Sequence, residues 1–208
     1  MNLKDLIKEG INTISSLYPE GEAREMVLAY LEHRIGTTRH THILNPDYVV
    51  CDDIVPEIRD AYRRMASGEP LQYVIGLAYF YGREFHVTPD VLIPRPETEI
   101  LCRTVLSTDG PKRVLDLCTG SGCIAISTLR NTKNTSAIAV DISPAAVEIA
   151  LKNKGRYIAD LEERLDVICA DALAFNTDEQ FDAILSNPPY IVENVYDSLQ
   201  KEVKREPK

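Results

Sequence analysis

The sequence predicts an α/β protein in two parts, a small helical bundle followed by a parallel sheet with helices packed on it. Three patterns carry that expectation. Apolar residues recur at helical spacing through the first 70 residues, strand-like and helix-like segments alternate in the second half, and glycines cluster where the first of those strands ends.

Taken in order, Leu3, Leu6, Ile7, Ile11, Ile14 and Leu17 make one helical stripe, which Pro19 stops. Ala23, Met26, Val27, Tyr30 and Leu31 make a second, ending near Gly36. A third helix is expected over 54–65, closed by Ser67-Gly68-Glu69-Pro70, with a looser segment before it that turns at Asn45-Pro46. Such a bundle has a modest core, suited to docking a partner or a second domain. Over 71–91, Tyr73, Phe80, Tyr81, Phe85 and Val87, punctuated by Gly76 and Gly82, suggest a β-hairpin linker. Leu92-Ile93-Pro94-Arg95-Pro96-Glu97-Thr98-Glu99 then opens a helix over 97–106. Strands follow at 114–117, 137–140, 165–169 and 181–185, with helices at 123–129 and 144–153. The expected organisation is therefore a helical docking domain at 1–70, the hairpin at 71–91 and an α/β domain at 92–208. Ligands of such sheets bind at the carboxyl ends of the strands.

Composition narrows the function. Of 208 residues, 44% are apolar, an ordinary value for a globular protein, and no stretch approaches the roughly 18 apolar residues of a membrane span. The charged N-terminus lacks the apolar core of a signal peptide. Five scattered cysteines with no C-x-x-C pair point to reduced thiols in the cytoplasm rather than a disulfide frame or zinc site. His40-Thr41-His42 has no further ligand at metal-site spacing, so no metal is expected. A net charge of −9 argues against a large nucleic-acid footprint, although Arg59, Arg63 and Arg64 form a local basic group.

The stretch Asp116-Leu117-Cys118-Thr119-Gly120-Ser121-Gly122 falls at the first strand-to-helix turn of the sheet. Glycines there let a ligand approach the backbone at a helix N-terminus. The third glycine of a dinucleotide fingerprint is missing, since Cys123, Ile124 and Ala125 follow. An acid at Asp116 would repel a pyrophosphate and favour a cation, such as the amino or sulfonium group of S-adenosylmethionine. Asp141, at the end of the second strand, is placed to accept two ribose hydroxyls, and Asp171, after the third, an adenine amino group. Either carboxylate would serve equally as a helix cap.

Asn187-Pro188-Pro189-Tyr190 ends the fourth strand. Two prolines stiffen the backbone and remove two donors, leaving carbonyls beside an amide side chain and a flat ring. That set can grip a planar group bearing an NH2, a carboxamide or an amino-purine. An ordinary strand-ending turn has the same residues.

Together these segments resemble the HemK/PrmC family of class I S-adenosylmethionine-dependent methyltransferases, with a Rossmann-like sheet. The resemblance runs through Gly68-Glu69-Pro70-Leu71-Gln72-Tyr73-Val74-Ile75-Gly76, the Ile93-Pro94-Arg95-Pro96-Glu97-Thr98-Glu99 segment, residues 116–122, Ala139-Val140-Asp141-Ile142-Ser143 and residues 187–190. It implies methylation of the glutamine side-chain amide in the Gly-Gly-Gln loop of peptide-chain release factors. In that reading Asp116, Cys118, Thr119, Gly120, Ser121, Gly122, Asp141, Asp171 and Asn187 hold the cofactor. Asn187, Pro188, Pro189 and Tyr190 hold the acceptor, with Asn187, Pro188 and Tyr190 serving the transfer itself. Cys118 stands where many relatives have glycine, and Ala172 where some carry an aromatic against the adenine, a place Phe175 could take. The fold normally continues with three more strands beyond the fourth, so the chain reads as a truncated piece whose last strand has an open edge. It is expected to self-associate or to belong to a longer polypeptide, and to show little activity alone. A nucleic-acid amino-methyltransferase and a non-catalytic cofactor-binding module are the two rival readings.

Overall fold

A computed structural model describes residues 1–107, 113–157, 161–189 and 205–207. The chain forms two compact units, a helical one that includes Met1–Ile75 and an α/β one that begins at Gly76.

In the helical unit, α1 (Leu3–Ile14) and α2 (Glu20–Ile35) pack with α4 (Val55–Ala66), and α3 (Thr41–Leu44) is a single turn within the segment expected to be loose. Asn2 caps α1 by accepting the Lys4 N–H at 2.8 Å, and Gly36 ends α2 in the left-handed conformation that the sequence anticipates there. Leu6, Ile14, Val27, Leu31, Ile58, Tyr62 and Met65 fill the core. Gly10 lets α1 approach closely, because a β-carbon there would lie 2.6 Å from the Tyr62 ring. The basic group is neutralised: Arg59 pairs with Glu9, Arg63 with Asp60 and Arg64 with Glu69.

The span expected as a hairpin opens instead with a helix, α5 (Leu71–Ile75), whose Tyr73 and Val74 N–H groups donate to the Pro70 carbonyl. The hairpin proper is shorter, β1 (Leu77–Phe80) against β2 (Arg83–His86). Its two turn residues, Tyr81 and Gly82, both have positive φ, as the tightest hairpin turn requires. A 3-10 turn at Pro96–Thr98 precedes α6 (Glu99–Leu106).

The sheet contains β3 (Arg113–Leu117), β4 (Ser136–Asp141), β5 (Leu165–Cys169) and β6 (Ala183–Ser186), all parallel, in the order β5-β4-β3-β6. Helices α7 (Cys123–Arg130) and α8 (Pro144–Arg156) make the crossovers. The register places Leu117 beside both Val140 and Ser186, and Asp141 beside Cys169, so the four carboxyl ends form one rim. Phe80, Phe85, Cys102, Ile126, Leu129 and Leu185 belong to the main core, while Leu115, Ile138 and Val140 anchor a smaller cluster. Phe175 is half-buried and packs against that smaller cluster. Among the described residues β6 pairs with β3 alone, and Ile184 is largely exposed. Tyr190 and residues 191–204 lie outside the described residues.

Candidate functional site

Three left-handed residues in five, Cys118, Gly120 and Gly122, fold the end of β3 into a tight loop before α7. The two glycines do different work. A β-carbon on Gly122 would stand 3.2 Å from the Ile126 side chain and 3.4 Å from that of Ala150, so glycine there lets the helices close on the loop. A β-carbon on Gly120 would meet nothing within 4 Å, so the backbone at Gly120 borders open space.

Two carboxylates hold this loop. Asp116 is fully buried beneath it, its Oδ2 accepting the Thr119 hydroxyl at 2.6 Å and the Ala125 N–H at 3.2 Å. Its Oδ1 has no partner among the described residues. Burial pushes the Asp116 carboxyl up to about 7, against the opposing pull of those two hydrogen bonds. Asp116, read from the sequence as an acid that favours a cation, lies under the loop and braces it. Asp141 accepts the Gly120 N–H at 2.8 Å through Oδ2 and the Ser143 N–H at 3.0 Å through Oδ1, while Ser143 caps α8. Each carboxylate oxygen retains lone-pair capacity for a hydroxyl.

Asp116, Cys118, Thr119, Gly120, Ser121, Gly122 and Asp141 thus form one cluster. Cys118 is half-buried, and burial first, then the neighbouring Asp141 charge, raises its thiol above the ordinary value. Asp171 lies after β5 on the same rim, exposed, with its Oδ1 accepting the Leu173 N–H at 2.9 Å. On the other side of β3, Ser186 donates its hydroxyl to the Leu117 carbonyl at 2.9 Å, which sets Asn187 next to the loop. Asn187 is half-buried, and Pro188 and Pro189 are exposed. Tyr190 lies outside the described residues.

The structure also explains why residues 92–99 accompany Asn187. Asn187 Nδ2 donates to the Thr98 hydroxyl in a long contact of 3.5 Å. Glu99 accepts the Tyr81 N–H at 2.9 Å, and Arg95 donates to both oxygens of the buried Glu206, at 2.6 and 2.7 Å. The Thr98 and Glu206 contacts are not read from the sequence, although Thr98 belongs to the 93–99 segment that carries part of the resemblance. Glu206 meets Arg95 across 111 residues and Thr98 meets Asn187 across 89, separations that local sequence does not bridge. Asn153 falls on the buried face of α8 with Ala146 and Ala150. Among the described residues no group of three potential metal ligands occurs.

The description "PrmC N-terminal domain" matches residues 5–76, and "Methyltransferase small domain" matches residues 96–204. A release factor glutamine methyltransferase of Koribacter versatilis is 45% identical over 70% of this chain and 52% of that protein. One from Bacteroides thetaiotaomicron is 34% identical over 92% of this chain and 68% of its own length. One from Thermodesulfovibrio yellowstonii is 35% identical over 98% and 71%. The chain therefore spans between about half and three-quarters of the length of these curated relatives.

Proposed function

This chain belongs to the release factor glutamine methyltransferase family, and we propose that it methylates the side-chain amide nitrogen of the glutamine in a release factor's Gly-Gly-Gln loop. The observation that carries the reading is the juxtaposition on one rim of an open glycine backbone at Gly120, the carboxylate of Asp141 and the amide of Asn187.

These residues fit S-adenosylmethionine. Gly120 leaves room for a ligand against its backbone, and Asp141 has lone pairs for ribose hydroxyls. Asp171 lies on the rim for an adenine amino group. Asp116 and Thr119 shape the loop from below, and Cys118, Ser121 and Gly122 complete it. When bound, the cofactor supplies a methyl group on a sulfonium, so a carbon–nitrogen bond forms as a carbon–sulfur bond breaks.

The chain's own task is orientation. An amide nitrogen is a poor nucleophile because its lone pair is delocalised into the carbonyl. With Asn187 Nδ2 turned to Thr98, the side-chain oxygen Oδ1 is the end left to accept one acceptor N–H. The Pro188 carbonyl takes the other, Pro189 stiffens the turn, and the sequence assigns Tyr190 the task of flanking the planar amide. Orientation of this kind lowers a barrier by roughly 7–11 kcal/mol, and the proton displaced on methylation leaves to water. No general base is required. The helical unit docks the release factor in this reading, and the five free cysteines agree with a reducing, cytoplasmic setting. No helix among the described residues is long and apolar enough to cross a membrane.

The test is transfer of a radiolabelled methyl group to purified release factor by a version of the protein that spans the full length of its relatives, with tRNA, rRNA and DNA as parallel acceptors. Label on the release factor is expected, lost in Asn187→Ala while cofactor affinity stays within a few-fold. Turnover retained in that variant overturns the role of Asn187. Label on a nucleic acid instead, or cofactor binding without transfer to any acceptor, overturns the reading in favour of one of the two rivals.

A further inference from the structure

The buried face of α8 carries one fully buried amide, Asn153. All three of its hydrogen bonds go to main chain. Oδ1 accepts the His86 N–H at 2.7 Å, and Nδ2 donates to the His86 carbonyl at 3.0 Å and to the Ser121 carbonyl at 2.9 Å. The side chain therefore meets the last residue of β2 as a neighbouring strand would, and gives its second amide hydrogen to the glycine loop. Both donors are used, so the group is committed.

Ser121 sits between the two left-handed glycines. Three residues before Asn153, Ala150 faces Gly122, where an added β-carbon would come within 3.4 Å of it. Helix α8 thus meets the loop at two successive residues, through a close steric approach and a hydrogen bond. From the opposite side Asp141 accepts the Gly120 N–H. A glycine loop has few side chains with which to fix its own conformation, so its geometry depends on such external holds.

We propose that Asn153 is a positioning residue for the cofactor: its amide sets the Ser121 carbonyl and thereby the Gly120–Ser121–Gly122 backbone, and it ties that loop to the β1–β2 hairpin. The inference rests on the cofactor reading above. The competing explanation is that Asn153 only glues the hairpin to α8. Tyr157, just past the end of α8, separates the two. Its hydroxyl donates to the Glu84 carbonyl on the same hairpin at 2.7 Å, and none of its contacts reaches the loop among the bonds described.

The experiment is calorimetric titration of the full chain with S-adenosylmethionine at pH 8, using wild type, Asn153→Ala, Asn153→Asp and Tyr157→Phe. Asn153→Asp keeps the size of the side chain and its acceptor for the His86 N–H but, once ionised, donates neither to the Ser121 nor to the His86 carbonyl. With Tyr157→Phe as the control for a loosened hairpin, it decides the matter if Asn153→Ala does not fold. Both Asn153 variants are expected to weaken binding about tenfold or more, the effect of one lost or misdirected hydrogen bond. Tyr157→Phe is expected to bind as wild type does. In amide NMR spectra the Gly120 and Gly122 resonances should move in Asn153→Asp and stay in place in Tyr157→Phe. Unchanged affinity in Asn153→Asp, or an equal loss in Tyr157→Phe, overturns the positioning role while leaving the cofactor reading intact. Absence of binding by the wild-type chain overturns the cofactor reading and the inference with it.

Discussion

The two units handle polarity in opposite ways. Tyrosines aside, Thr37 is the only buried polar residue among the described residues of the helical unit, whose charges pair at the surface as Arg34–Glu57, Arg59–Glu9 and Arg64–Glu69. The α/β unit buries Asp116, Thr119, Ser121, Ser127, Thr128, Thr135, Asn153 and Glu206. Burying a polar group costs free energy unless it is hydrogen-bonded, so a fold retains such groups where geometry matters more than stability. Several of them surround the glycine loop or the segment beside Asn187. A dry core marks a scaffold; a wet one surrounds the chemistry.

That contrast can be broken at four points. Leu6→Ala in the dry core should cost about 2–5 kcal/mol in denaturant unfolding, through lost burial and the cavity left behind, and should leave cofactor titrations unchanged. A comparable loss of cofactor affinity would show that the helical core shapes the site. Asp141→Ala should weaken S-adenosylmethionine binding by roughly 1.5–3 kcal/mol. Equal affinity by calorimetry would reduce Asp141 to a loop anchor and helix cap.

Asp116 gives a pH signature. Its folded-state value of about 7 lies above that of an unfolded aspartate, near 3.9. Between roughly pH 4 and 7 the native protein therefore holds a proton that the unfolded chain has lost. The stability contribution of this group falls as pH rises through that window, by at most about 1.4 kcal/mol per pH unit. Asp116→Asn should flatten the slope in melting curves collected across the window; an unchanged slope assigns it to other groups. The smallest effect belongs to the surface. Arg63→Ala breaks an exposed pair with Asp60 and should change stability by no more than about 0.5 kcal/mol, and a larger loss would mean that the surface charges do more than solvate the unit.

The elements were legible where one physical signal dominates. All four strands can be read from their apolar runs, and β5 has the expected bounds of 165–169. The Gly36 cap and the Gly82 turn follow from local backbone demands. The 71–75 segment is not legible as a helix, because Tyr73, Val74 and Ile75 favour strands and run on into a true hairpin, and Pro70 is the one helix signal at its start. At the site, Asp141 and the loop can be read from their place at strand ends. Thr98 and Glu206 depend on approaches between distant parts of the chain. The inward turn of Asp116 depends on the Thr119 hydroxyl and the Ala125 amide arriving together beneath the loop, which spacing alone does not reveal.

Cys118 has a φ of +59°, a conformation glycine occupies at little cost and a residue with a β-carbon at roughly 1–2 kcal/mol. The loop is thus a loaded spring with a simple release. A laboratory selection for heat resistance would meet Cys118→Gly early, because one exchange removes the penalty without asking any neighbour to move. The same exchange would widen the range of shapes open to the unfolded chain, so part of the relief would be returned as entropy. A thiol kept in a strained bend therefore makes this position a sensitive one at which to watch backbone strain and heat tolerance being exchanged for one another.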